Sequence, residues 1–212
     1  MFRLEGVRYK NILDIESLLI PAGMVTSVVG ESGSGKTTLL KLLNKLISPD
    51  RGSIFFNDKP FSEINSIELR RKVVMLSQSP AIFPGTVKHN LLIGLKFAEK
   101  PGATDQDLAT ILKFIHLSKD FEDDAEKLSG GEKQRLALGR VILLDPQVFM
   151  LDEPSSSLDE ETEKLVMDKL VSHSRQKGKT LIMVTHAKKI AQAYSDKIIE
   201  IKNGREAVTC RK

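Results

Sequence analysis

Between a short apolar run, Val25 to Val29, and a leucine-rich helical pattern starting at Leu39, the chain places Gly30-Glu31-Ser32-Gly33-Ser34-Gly35-Lys36-Thr37. The segment fits G-x-x-x-x-G-K-[ST] in the context that pattern requires, a strand leading in and a helix leading out. This order constrains the fold more than any other feature of the sequence. A strand that ends in a glycine-rich turn and re-enters as a helix belongs in a mainly parallel sheet, with the turn at the carboxyl ends of the strands. The glycines let backbone N–H groups curl toward one anion, and the helix N-terminus adds the positive end of its dipole. Lys36 is expected to neutralise β- and γ-phosphates and the Thr37 hydroxyl to ligate Mg²⁺, with Thr38 in the same turn. Residues 30–38 are thus a candidate nucleotide site.

Further apolar runs with little alternation lie at Val73 to Leu76, 148–151 and 181–185, as in strands buried on both faces of a parallel sheet. A last run, 198–201, stops at the turn signal Asn203-Gly204. Helices fall between them. Leu39, Leu40, Leu43, Leu46 and Ile47 form one apolar face that stops before Pro49. Leu108, Ile111, Leu112 and Ile115 recur at helical spacing behind a Thr104-x-x-Asp107 cap. The pattern predicts a third helix over 131–144, closed by Pro146, and a fourth from an Asp159 N-cap to Gln176, with Gly178 beyond. Tyr194 and Asp196 close the last helix and open the last strand. Residues 79–129 hold helices and no convincing strand, which reads as a helical insertion into an α/β core.

Composition excludes several classes. With 212 residues, 41% apolar and 28% charged, the chain can bury a substantial core and is neither fibrous nor disordered. No run approaches the roughly 18 apolar residues of a membrane-spanning helix, and Arg3, Glu5, Arg8 and Lys10 break any signal-peptide core. The single Cys210 excludes an internal disulfide and is given no role, so a reducing, cytoplasmic setting is expected. The net charge of +4 is spread along the chain and aromatic residues are only 5%, which argues against a nucleic-acid groove.

Two more segments carry chemistry. Val148-Phe149-Met150-Leu151-Asp152-Glu153 is a buried strand ending in two carboxylates, at the edge where the phosphate loop also begins. Asp152 is placed to hold the Mg²⁺ that accompanies ATP, and Glu153 to take a proton from an attacking water. Leu128-Ser129-Gly130-Gly131-Glu132-Lys133-Gln134-Arg135 is a second anion cradle, with a hydroxyl, two glycines and a helix N-terminus. Glu132 and Arg135 stabilise that helix through first-turn charge and side-chain pairing. One ATP does not need two phosphate cradles within one chain, so the second is expected to serve the ATP of another subunit.

On these segments the sequence resembles the ATP-binding subunits of ABC transporters, over nearly its whole length. The resemblance implies a P-loop NTPase (RecA-like) α/β core with a mainly parallel sheet, an N-terminal antiparallel β subdomain and an inserted helical subdomain. It implies one domain over 1–212, with the core at 1–78 and 141–212 and the insertion, carrying the signature, at 79–140. Gln78 falls where the family has its Mg²⁺- and water-contacting glutamine, and Ser157-Leu158-Asp159 where it has its D-loop. His186 takes the place of the switch histidine, and Tyr9 that of the ring stacked on adenine. Gly30, Glu31, Ser32, Gly33, Ser34, Gly35, Lys36, Thr37 and Thr38 are then the ATP cradle, with Ser129, Gly130 and Gly131 reaching it from the second copy of an ATP-dependent homodimer. Thr37, Gln78 and Asp152 form the Mg²⁺ set, and Glu153, His186 and Gln78 the catalytic set. His89, His116 and His173 match no pattern and are assigned to the surface or to packing.

DNA-repair and chromosome members of the family insert long coiled coils between phosphate loop and signature, and ribosome-binding members carry two modules per chain. Neither feature occurs here, so the transporter branch is expected over a soluble ATPase acting on nucleic acid or ribosomes. A separate transmembrane permease is expected to dock near Phe83, in Ser79-Pro80-Ala81-Ile82-Phe83-Pro84-Gly85-Thr86-Val87, which would hold the chain against the inner face of the membrane. The compact size, the 83–87 stretch and the short C-terminus are similar to small bacterial ATPases paired with metal (iron) exporters.

Overall fold

A computed structural model describes residues 1–154 and 158–211, with side chains through residue 206. The phosphate-loop segment forms as its sequence requires: β3 (Val25–Val29) is buried at every position and α1 (Lys36–Leu43) follows the glycines. β3 belongs to a six-stranded sheet in the order β10-β9-β3-β8-β7-β6. Its members are β6 (Val73–Leu76), β7 (Val148–Asp152), β8 (Thr180–Val184), β9 (Lys197–Lys202) and β10 (Arg205–Arg211). The five strands from β9 to β6 pair in parallel, and β10 returns antiparallel to β9 through Asn203-Gly204. β7 and β8 are buried throughout, which explains why they read as unbroken apolar runs.

A second, antiparallel sheet in the order β2-β1-β4-β5 precedes and abuts this core. It consists of β1 (Phe2–Tyr9), β2 (Leu13–Ile20), β4 (Arg51–Phe56) and β5 (Lys59–Pro60). The buried side chains of β1 and β2, Phe2, Leu4, Val7, Leu13, Ile15, Leu18 and Ile20, join Leu39, Leu40, Leu42 and Leu43 of α1 in one apolar cluster. That cluster fixes the phosphate-loop helix between the two sheets.

On the other face of the six-stranded sheet lie α3 (Val87–Phe97), α4 (Asp105–Phe114), α5 (Gly130–Leu143) and α6 (Glu160–Gln176). Leu91, Leu108, Ile115 and Leu136 from the helices share a second cluster with Phe149, Leu151, Leu181 and Met183 of the strands. The helical segment is therefore continuous with the core beneath it. Thr104 and Asp107 form the expected capping box, and Asp159 accepts from the Thr162 amide at the head of α6.

Two elements depart from the sequence pattern. α1 ends at Leu43, because Asn44 caps it and Lys45 turns left-handed at φ 52°; Leu46 is 53% exposed and lies off the apolar face assigned to it. α2 (Ser66–Lys72) is a single short helix that apolar periodicity could not resolve, whereas α7 (Lys188–Tyr194) ends at Tyr194 as expected. Among the described residues no helix is long and apolar enough to cross a membrane.

Candidate nucleotide site

Four strands of the parallel sheet deliver the site. In the order β3-β8-β7-β6, their carboxyl ends carry the phosphate loop, His186, the pair Asp152 and Glu153, and Gln78. Residues far apart in sequence meet there because parallel strands end on the same side.

The loop is built around close approaches that only glycine allows. A Cβ at Gly30 would lie 2.2 Å from the Ile201 carbonyl oxygen, and one at Gly35, where φ is 105°, would lie 2.7 Å from Leu13 Cδ2. Lys36 is 5% exposed and its ammonium donates to the Gly30 and Glu31 carbonyls at 2.9 and 2.7 Å. Burial lowers its pKa, against the pull of the Glu153 and Asp152 carboxylates. The Ser34 hydroxyl is buried with no partner among the described residues, an orphaned donor of the kind an anionic ligand satisfies. Cradle, cation and orphaned hydroxyl fit a nucleotide phosphate.

Asp152 is 3% exposed, and burial raises its pKa. A hydrogen bond from Thr37 and the nearby Lys36 oppose that shift, while Glu153 adds to it. A carboxylate beside a hydroxyl is a hard oxygen donor set, which fits Mg²⁺ held jointly with phosphate oxygens. The next residue turns out of the strand: Glu153 has φ 51°, a left-handed value uncommon outside glycine. Its amide donates to the Val184 carbonyl at 3.0 Å. Its carboxylate is held at both oxygens, accepting from Gln78 Nε2 at 2.9 Å and lying 2.5 Å from His186 Nε2. Adjacent carboxylates thus serve different neighbours, one against Thr37 and the other between an amide and an imidazole.

The signature residues form a capped helix start. Ser129 Oγ accepts from the Glu132 amide, the Glu132 carboxylate accepts from the Ser129 amide, and Lys119 lies 3.1 Å from Glu132. Ser129 and Gly130 are exposed, and a Cβ on Gly130 would meet open space. Tyr9 is half-buried against the antiparallel-sheet cluster, with the Lys10 ammonium 5.3 Å from its ring centre. Among the described residues the cleft beside the loop is lined instead by Asn11, Ile12, residues 30–34 and 200–204. No motif marks Asn11, Ile12 or residues 200–202; they arrive because β9 neighbours β3 and the β1–β2 turn packs on Gly204 and Gly35. Ser157 of the D-loop lies outside the described residues, as does the side chain of Cys210; Asp159 caps α6.

Known proteins resemble this chain in sequence and in fold. The ATP-binding protein MesD of Leuconostoc mesenteroides, named for mesentericin-Y105 transport and processing, is 37% identical over 203 residues, 91% of this chain. The chain spans 27% of that protein's length and 56% of Protein STAR1 of Oryza sativa subsp. japonica, also 37% identical. ABC transporter I family member 17 of Arabidopsis thaliana is 35% identical over 195 residues, 92% of this chain and 74% of the relative. Among solved structures, a dimeric ATP-binding cassette in a post-hydrolysis state, bound to ADP and Pi, superposes with a TM-score of 0.89 at 27% identity, covering 100% of this chain and 98% of that one. A bacterial Atm1-family ABC exporter with ATP bound gives 0.90 at 25% identity, covering 99% and 38%. The family described as ABC transporter matches residues 13–156, and the chain belongs to it.

Proposed function

We propose that this chain binds and hydrolyses ATP to drive transport by a transmembrane partner. The observation that carries the reading is Glu153, held between Gln78 and His186 beside the phosphate loop. Lys36 and the loop amides hold the phosphates, while Thr37, Asp152 and Gln78 would hold Mg²⁺, whose charge would offset that of the phosphates. The water oxygen attacks the γ-phosphorus in line, the bond to the β–γ bridging oxygen breaks, and Glu153 takes the water's proton as ADP and phosphate form. His186 steadies the γ-phosphate and orients Glu153.

The second cradle acts on a second copy. Ser129 and Gly130 are exposed and Gly131 half-buried at the helix start, as needed if they contact the γ-phosphate held by Lys36 of the partner copy. Dimeric cassettes among the structural relatives support that assembly. The docking surface for the membrane partner is placed at Phe83 and Phe97, whose rings lie 5.8 Å apart with Phe97 65% exposed. The metal (iron) exporter subtype rests on sequence resemblance alone, and the relatives' names point to no such cargo.

One variant tests chemistry and assembly together. Glu153→Gln is expected to bind ATP·Mg²⁺, lose about 10²–10⁴ in turnover, as for removal of a general base, and sediment as a dimer with ATP and a monomer without. Lys36→Ala is expected to weaken ATP binding itself. Equal ATPase rates for Glu153→Gln and wild type would remove Glu153 from the mechanism. A stable wild-type monomer at saturating ATP, with undiminished hydrolysis, would argue for a site complete within one chain.

A further inference from the structure

Arg140, in the last turn of α5, sends its guanidinium into the segment that follows Gln78. Nε donates to the Asn90 carbonyl at 2.8 Å, Nη1 to the Ala81 carbonyl at 3.0 Å, and Nη2 to Asn90 Oδ1 at 3.0 Å. The same group lies 4.9 Å from the centre of the Phe83 ring. Asn90, fully buried in α3, closes the arrangement: Oδ1 accepts from the Phe83 amide at 2.9 Å, and Nδ2 donates to the Phe83 and Thr86 carbonyls at 2.8 and 3.1 Å. Residues 81–86 are therefore bonded to α3 and α5, although their chain departs from β6.

The arrangement is built in at the backbone level. Gly94 lies inside α3, where glycine is unfavourable relative to alanine. A Cβ there would sit 2.8 Å from Arg140 Cγ, so the glycine makes room for the arginine stem. Burial lowers the Arg140 pKa to about 10, which leaves the cation intact at neutral pH. The acceptors are two main-chain carbonyls and one amide oxygen, spread over a planar fork that a lysine ammonium cannot reproduce.

What lies at either end gives this contact its meaning. Upstream, Gln78 is bonded to Glu153, and residues 77–79 are exposed, with one internal bond from Ser77 Oγ to the Ser79 carbonyl at 3.1 Å. Downstream, α5 runs back from Arg140 to the signature at its N-terminus, about 15 Å at roughly 1.5 Å per residue. Packed helices move as units, so a segment pinned to α5 carries the signature with it.

Resting on the ATPase reading above, we propose that Arg140 is a positioning residue that fastens residues 81–86 to the signature helix. A displacement of Gln78 at the phosphate site is thereby delivered to Ser129, Gly130 and Gly131 by α3 and α5 sliding together over the apolar cluster they share with the sheet. Neither end needs to touch the other.

Two variants of the full chain test this, Arg140→Lys and Gly94→Ala. The second adds one methyl group that displaces the arginine stem while improving helix propensity, so it keeps the test alive if Arg140→Lys does not fold. Both are expected to hold ATP as wild type does, with KM within about twofold and kcat reduced about tenfold. Gln78→Ala, costly on the wild-type background, is expected to add less than about twofold on either variant. Spin labels at Glu16 and Lys113, with Cys210→Ser throughout, are expected to change separation when ATP·Mg²⁺ is added to the otherwise wild-type chain, and not in the variants. Multiplicative losses from Gln78→Ala and Arg140→Lys, or a nucleotide-driven distance change that survives both variants, would overturn the proposal. If the wild-type chain turns over no ATP, the ATPase reading fails. The pin is then judged by distance, with Gln78→Ala as the perturbation: a change that Arg140→Lys abolishes supports it, and one that persists sinks it.

Discussion

Glu153 and His173 show how differently two titratable side chains can sit in one fold. Glu153 leaves β7 with a left-handed φ and finds two partners at the strand ends, so its carboxylate is both held and accessible to chemistry. His173 is wedged edge-on between the rings of Phe114 and Phe149, at 5.6 and 6.3 Å, and its Nε2 is buried without a partner among the described residues. Burial lowers its pKa, and the Lys177 and Lys179 cations lower it further, against Asp145. The sign for stability follows. An unfolded histidine takes its proton near pH 6.5, whereas the folded one takes it lower. As pH falls below about 6.5 the unfolded chain binds more protons, so stability drops until the folded pKa is passed. His116, shifted the same way by burial and by Lys169 and Arg135, adds to that slope. Thermal midpoints measured from about pH 7.5 to about 5.5 are expected to fall in wild type and to fall less in His173→Phe. Identical slopes would mean that His173 is not the group being titrated.

At the element scale, α5 has one N-terminus for two tasks. The Ser129–Glu132 capping box satisfies orphaned amides of the helix start, so Ser129 is structural before any phosphate arrives. The two tasks separate by substitution. Ser129→Ala is expected to destabilise the chain by about 1 kcal/mol through the lost cap. Ser129→Asp keeps a good cap but sets a negative charge against a γ-phosphate, so it is expected to melt near wild type and still lose ATP turnover. Unchanged turnover in Ser129→Asp would leave the residue as a cap alone. Elements that carry their own end signals were legible in advance: the Thr104 and Asp159 caps and Asn203-Gly204 between β9 and β10. The end of α1 was not, because the apolar pattern continues through Leu46 and Ile47 after the backbone has already turned at Lys45.

For the whole molecule, the six-stranded sheet divides two apolar clusters, one gripping α1 under the antiparallel sheet and one joining the helical segment to the strands. Outward from the second cluster, Phe97 is exposed against Phe83, and Phe83 in turn lies under Arg140. Phe97→Asp is therefore expected to fold and hydrolyse ATP as wild type does while losing co-purification with the proposed transmembrane partner; retained co-purification would move the docking surface elsewhere. Phe83 is less suited to that test, since its backbone and ring are both engaged in the fold. The sequence by itself determined the phosphate loop, the two carboxylates at the end of a buried strand, the signature at the head of a helix and the family, because each is written in contiguous residues whose spacing has one physical use. Strand order lay beyond it. Only the tertiary structure decided that β8 stands between β3 and β7, which sets His186 against Glu153, and that β9 flanks β3, which walls the nucleotide cleft with residues 200–204. The bonds from Arg140 to Ala81 and Asn90 join positions 50 or more apart, and no local pattern records such a pairing, since it exists only once two helices have packed.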